Sequence, residues 1–200
     1  MRHTMQTEGF GVRLRPVRFE DAAFIVWLRN LDHAKGRVGD SAMNVGAQED
    51  WLRVYFDREG DYYFIIETLG QIAVGAYGVY DVRGTSAESG RWITRPDVPA
   101  AVPSAIQAFD IAFGRLGLLE LRVKTVSTNR PVLSLNRKFG FRQTRVEPAA
   151  QVIGGQAVDL VHFVLQGRDW PQIRAGLLPL ARLAEEQIQE WEHAHPQRPN

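Results

Sequence analysis

Apolar residues recur along this chain at two spacings, and the switches between them predict an ordered series of strands and helices. Leu121, Val123 and Val126 are the apolar members of an extended run over residues 120–126. Val132, Leu135 and Phe139 then recur at helical spacing. Gly140 follows, the residue type that takes a left-handed conformation past a helix end without steric cost, and Phe141 opens the next extended run. Upstream, Glu20 and Asp21 put negative charge at the start of a helix whose apolar stripe is Phe24, Ile25 and Leu28, ending at Arg29 and Asn30. Trp51, Leu52 and Tyr55 share one face of a second helix over 49–57, and Ile106, Phe109, Phe113 and Leu116 do so over 104–116. Further strands are predicted over 14–17, 62–67, 71–80, 87–93, 142–146 and 158–165, with turns at Leu69-Gly70, Arg83-Gly84 and Gly154-Gly155. Residues 32–48 read as a polar loop with helical fragments. The order is strand, helices, three strands, helix, strand, helix, two strands. It predicts a mixed α/β sheet with helices on both faces.

The remaining segment carries Leu177, Ala181, Ala184, Ile188 and Trp191 as one amphipathic stripe, interrupted by Pro179. Proline removes a helical hydrogen bond and clashes with the preceding turn, so a break is expected there, with Pro179 opening the final helix. The division that follows is a domain over 1–170 and a helical extension over 171–200. The stripe is read as packing on its own domain, with a homodimer contact as the alternative.

Composition narrows the function classes. The 200 residues carry a net charge of +1, which disfavours a dedicated nucleic-acid binder. There is no cysteine, which removes disulfides, thiolate catalysis and cysteine-ligated metal together. Met1 to Gly11 lacks the apolar core of a signal peptide, and no apolar run is long enough to span a bilayer, so a cytoplasmic location away from membranes is expected. His162 reads as a structural strand residue, and nothing near His193 or His195 completes a metal site.

Asn129, the short helix that follows it and the Gly140-Phe141 turn together resemble the signature of the GNAT superfamily of acetyl-CoA-dependent N-acetyltransferases. Four other stretches are similar to the branch holding ribosomal-protein and amino-sugar acetyltransferases. They are residues 14–21 with 27–30, residues 48–66, the Ser86-Ala87-Glu88-Ser89-Gly90 strand, and residues 154–165 followed by Asp169-Trp170. The resemblance implies a single GNAT-like, mostly antiparallel sheet flanked by helices, with an extra C-terminal helix. It implies acetyl-CoA as acetyl donor and a primary amine as acceptor. The amine of a small molecule such as a nucleotide-linked amino sugar is preferred, with a protein N-terminus or a non-catalytic binding module as alternatives.

The same resemblance proposes site residues. Glu88 matches a catalytic glutamate and would take the amine's proton through water; a structural strand carboxylate is the alternative. Asn129 would face the cofactor's amide-rich arm, or cap the helix. Asn136 stands where many members carry a tyrosine acid; an amide donates a hydrogen bond but transfers no proton at neutral pH, and a helix-surface asparagine with no role is the alternative. The diphosphate loop falls on residues 96–101, where Pro99 replaces an expected glycine and Asp97 would repel phosphate. The amides of Val98, Ala100, Ala101 and Ser104 remain for CoA, with Arg95 as a charge. Arg29, Asn30, Tyr77 and Tyr80 would face the acceptor. Gly75 and Gly78 imply a bulge or a close approach, in a strand expected to run beside the acetyl group.

Overall fold

The computed structural model describes residues 3–34 and 44–195. Strands β1 (Thr7–Gly9) and β2 (Val12–Pro16) are followed by a short 3-10 turn and helix α1 (Ala22–Arg29), then α2 (Val45–Tyr55). Three antiparallel strands come next, β3 (Tyr62–Thr68), β4 (Ala73–Arg83) and β5 (Ser86–Thr94). Helix α3 (Ala101–Phe109) leads to β6 (Glu120–Val126), α4 (Arg130–Lys138), β7 (Arg142–Ile153), β8 (Gln156–Gln166) and α5 (Trp170–Ala194). All the strands form one sheet in the order β1-β2-β3-β4-β5-β6-β8-β7. Every neighbouring pair is antiparallel except β5 and β6. The expected mixed, mostly antiparallel sheet flanked by helices is therefore the fold. Part of the predicted 32–48 loop, residues 35–43, and the end of the predicted extension, residues 196–200, lie outside the described residues.

Alternation along the strands divides the interior in two. On one face Leu14, Phe64, Tyr77, Leu121 and Phe163 pack with Ile106 and Phe109 of α3 and with Leu177, Ala181 and Ile188 of α5. On the other, Ile65, Ala76 and Ile93 pack under Ile25 and Leu28 of α1 and Leu52 and Tyr55 of α2. Arg15 stabilises the entry to α1: it pairs with both Asp21 oxygens at 2.8 Å and with Glu67 at 2.7 Å.

Two helices differ from expectation. Helix α3 begins at Ala101 rather than 104 and continues as a π-helical segment, Asp110–Arg115. There Asp110 accepts hydrogen bonds from Trp170 Nε1 and Arg174 Nε. The break expected at Pro179 is absent, because α5 runs continuously from Trp170 to Ala194 with Pro179 inside it. Pro179 and Ala175, whose carbonyl the proline leaves without its usual helical donor, are both exposed, where solvent can reach that group. Leu177 and Ala181, buried on either side, hold both halves against the core. No helix among the described residues is long and apolar enough to cross a membrane.

Candidate active site

The site begins where β5 and β6 part. They pair only at Ser86↔Glu120, Ala87↔Leu121 and Glu88↔Arg122. Just beyond, β5 carries a bulge. Arg91 has φ +50°, and the register with β4 shifts between Ala76 and Gly78. An extra residue on one strand bends it and increases its twist, which turns β5 away from β6. Residues 89–94 of β5 and 123–126 of β6 then face each other across a cleft of about 510 Å³. Neither edge has a partner strand there among the described residues. Trp92 enters from β5 and packs against Tyr77 and Phe139, with ring centroids 5.7 and 5.5 Å away. Its buried Nε1 has no hydrogen-bond partner among the described residues, and the residue lines the cleft.

Helix α4 closes the far wall. Asn129 precedes it, is buried, makes no side-chain capping bond and lines the cleft. Asn136 also lines the cleft and is buried; its Nδ2 donates to Thr125 Oγ1 at 3.1 Å. At the open end α3 begins. Ala100 N donates to Val98 O at 2.8 Å and Ser104 N to Ala100 O at 3.0 Å. The amides expected from Ala100 and Ser104 are thus already used, and Val98 is buried away from the lining. Ala101 lines the cleft, and neither its amide nor that of Val102 finds an acceptor among the described residues. These are the orphan donors of a helix start. Asp97 is less of an obstacle than its charge suggests. It pairs with Arg95 through both oxygens at 3.0 and 2.7 Å and accepts from Trp191 Nε1 at 3.3 Å. The hydrogen bond from Arg95 holds its carboxyl below the ordinary range.

Glu88 sits on the last paired rung, on the sheet face shared with α1 and α2, and its Oε1 takes the Lys124 ammonium. No hydrogen bond to its Oε2 occurs among the described residues. Glu88 lies in a pocket adjoining the cleft, and Val123 and Lys124 line both. Tyr80 reaches the cleft from β4. Burial pushes its phenol up, so it is a neutral hydrogen-bonding group rather than a base. Its hydroxyl occupies the space a side chain at Gly90 would fill, 2.6 Å from an added Cβ. Arg29 lines the cleft with its Nε buried and unpartnered among the described residues. Arg91 also lines it, bound to both Asp61 oxygens and 4.2 Å from the Tyr80 ring centre.

Three expectations need correction. Tyr77 does not face the acceptor: it is fully buried on the α3 side, its hydroxyl bonded to Ser89 Oγ. Asn30 folds back on its own helix, donating from Nδ2 to Val26 O at 2.8 Å. The strand bordering the cleft is β5 and not β4. Gly75 and Gly78 instead let β4 and β5 approach, with Ile93 O only 2.7 Å from a Cβ placed at Gly75. The Arg91–Asp61 pair was not foreseen, since it joins positions with no shared local pattern. The outward placement of Arg122 and Lys124 was readable from their alternation with Leu121 and Val123.

The geometry now has a context. The model of the acetyltransferase (GNAT) domain matches residues 12–142. Among solved structures, a GCN5-related N-acetyltransferase from Brucella melitensis aligns with a TM-score of 0.76 at 17% identity, covering 90% of this chain and 86% of its own. FdhC, a nucleotide-linked sugar GNAT in its apo form, aligns with a TM-score of 0.72 at 24% identity, covering 90% and 98%. A variant of spermidine N-acetyltransferase SpeG from Vibrio cholerae aligns with a TM-score of 0.72 at 17% identity, covering 81% and 97%. No curated protein matches the chain in sequence. At such identities the structures speak for the fold, while the match over residues 12–142 carries the family: the chain belongs to the GNAT acetyltransferases.

Proposed function

We propose that the protein is an acetyl-CoA-dependent N-acetyltransferase whose acceptor is the primary amine of a small, negatively charged molecule, of which a nucleotide-linked amino sugar is the best example. The observation that carries the acceptor class is the charge of the cleft wall. Arg29, Arg91 and Lys124 line it, and among the described residues no aspartate or glutamate does; Arg91 and Lys124 are paired with Asp61 and Glu88, which leaves the Arg29 guanidinium as the cation without an ion pair among them. A polyamine acceptor calls for carboxylates, and like charges oppose its entry. FdhC, by its description, acts on a nucleotide-linked sugar, and its likeness to this chain fits the reading.

Acetyl-CoA, when bound, supplies an acyl group already activated as a thioester. The unpaired edges of residues 89–94 and 123–126 offer backbone groups to its amide-bearing arm. The orphan amides of Ala101 and Val102, at the positive end of α3, suit its diphosphate. Pro99 reduces the number of such donors, so affinity below that of a glycine-rich loop is expected. Asn129 and Asn136 project into the same wall, and Trp92 Nε1 offers one more donor.

Glu88 takes the proton from the acceptor ammonium, directly or through one water, because only the neutral amine has a lone pair for attack. Lys124 fixes the carboxylate through Oε1. Asn136 supplies no proton to the departing sulfur. A thiolate with a pKa near the ordinary thiol value of about 8.5 leaves without one.

The test is release of free CoA thiol when the protein meets acetyl-CoA and a panel of amines. Nucleotide-linked amino sugars should release thiol, with spermidine and an N-terminal peptide far behind. Glu88→Gln should lower turnover by about 100-fold or more, and the deficit should shrink at high pH, where free amine is abundant. Preference for spermidine would overturn the acceptor class. CoA binding without thiol release from any amine would favour a binding module instead.

A further inference from the structure

Helices α1 and α2 cover only part of their face of the sheet. Beyond them, where β5, β6, β8 and β7 lie side by side, an open pocket of about 460 Å³ is walled by charged side chains. It contains Glu88 and shares Val123 and Lys124 with the cleft. An acceptor whose amine rests at Glu88 therefore has the remainder of its body here.

The charges of this pocket pair off with one exception. Arg83 is bound to Asp81, with Nε 2.9 Å from Oδ1. Lys124 is bound to Glu88. Arg145 and His162 both meet Glu147 Oε2, at 3.1 and 2.9 Å. Arg122 makes no ion pair among the described residues, and its Nε is buried without a partner. It stands in register between Glu88 on β5 and Val164 on β8. No contact within ion-pair distance joins it to Glu88, whose Oε1 is held by Lys124. A half-buried guanidinium with an unsatisfied donor is costly unless something accepts from it. Its planar fork matches phosphate oxygens in pairs.

We propose that this pocket is the recognition site for a phosphate or diphosphate group of the acceptor, with Arg122 as its specificity-determining residue. The inference rests on the N-acetyltransferase reading above and deepens it. Arg122 and Glu88 occupy opposed positions on adjacent strands, which lie about 4.8 Å apart. One small molecule spans them, its anion on Arg122 and its amine beside Glu88. Arg145 and Lys124 border the same space, each already paired with a carboxylate, so Arg122 is the cation left to meet the anion.

The experiment is calorimetric titration of the protein, first saturated with CoA so that the CoA diphosphate site is filled. The titrants are uridine diphosphate, inorganic pyrophosphate and uridine. Both diphosphates should bind and uridine should bind at least tenfold more weakly. Tighter binding of uridine diphosphate than of pyrophosphate would assign a nucleoside contact as well, and equal binding would assign the diphosphate alone. Arg122→Gln should lose at least tenfold in diphosphate affinity while keeping its CoA affinity, and Arg122→Lys should recover part of the loss. As a measurement that needs no variant, uridine diphosphate should protect Arg122 from phenylglyoxal, mapped by mass spectrometry, and uridine should not. No diphosphate binding to the CoA-loaded protein, or unchanged binding in Arg122→Gln, overturns the inference. CoA binding and thiol release, read separately, decide whether the acetyltransferase reading falls with it.

Discussion

One buried imidazole ties the stability of the fold to pH. His3 packs 4.6 Å from the Phe64 ring, and its Nε2 donates to Tyr63 O at 3.1 Å. Nδ1 is buried with no partner among the described residues, so the ring is held as a neutral tautomer. Burial lowers its pKa below the ordinary 6.5. The unfolded chain then binds more protons than the folded one between the lowered value and 6.5. The stabilisation is complete above that window and is lost as pH falls through it. Urea midpoints measured at pH 7.5 and pH 5 should differ in wild type, and His3→Gln should flatten the difference; parallel curves would assign the effect elsewhere. Single residues were unevenly legible in the sequence. Asn129 and Asn136, singled out by their place in the resemblance, both line the cleft and are buried. Tyr77 was misplaced. It was read in a strand expected to border the site, and the structure puts β5 there instead.

At the scale of elements, the junction between α4 and β7 depends on one residue. Gly140 has φ +81°, and a Cβ there would lie 2.3 Å from Ile173 Cδ1 in the first turns of α5. Gly140→Ala should cost roughly 1–2 kcal/mol for the left-handed backbone, plus what it takes to shift Ile173. Urea denaturation measures the sum, and a loss under 0.5 kcal/mol would show that the turn adapts freely. Glycine-marked ends and alternating strands could be read from the chain because they obey local rules. Strand β6 was predicted with its observed ends, and α4 as a short helix between Asn129 and Gly140. The rule that proline interrupts a helix failed at Pro179, which is exposed and flanked by the buried Leu177 and Ala181. The π-helical turn over Asp110–Arg115 likewise carries no local signature in the apolar spacing.

At the scale of the molecule, α5 is wound into the rest. Leu177, Ala181 and Ile188 complete the core over α3, Glu192 accepts from Gly70 N at 2.6 Å, and Trp191 reaches Asp97 beside the cleft. Ile188 is fully buried and touches Gly11, where an added Cβ would lie 3.3 Å from it. Ile188→Ala should therefore cost 2–5 kcal/mol, of the order expected of a central core residue, with one cooperative transition by circular dichroism and fluorescence. A smaller cost, or separate transitions, would make α5 an appendage in its own right. This long-range role was the least legible from sequence, since a stripe on a helix states that something covers it and not what.

The β5–β6 pairing has a consequence for how the chain assembles. Each antiparallel neighbour pair joined by a tight turn, such as β4 with β5 or β7 with β8, can zip from that turn on the microsecond scale of a hairpin. The parallel rungs between β5 and β6 cannot, because the chain must first cross over through α3. Closing that crossover costs entropy before any contact rewards it. The two halves of the sheet should acquire structure early and meet late. Amide-exchange labelling during refolding would find β3 and β4 protected before the rungs at Ala87 and Leu121. The place where the halves should meet last is also where the cleft opens, so the cleft should take shape in the final act of folding.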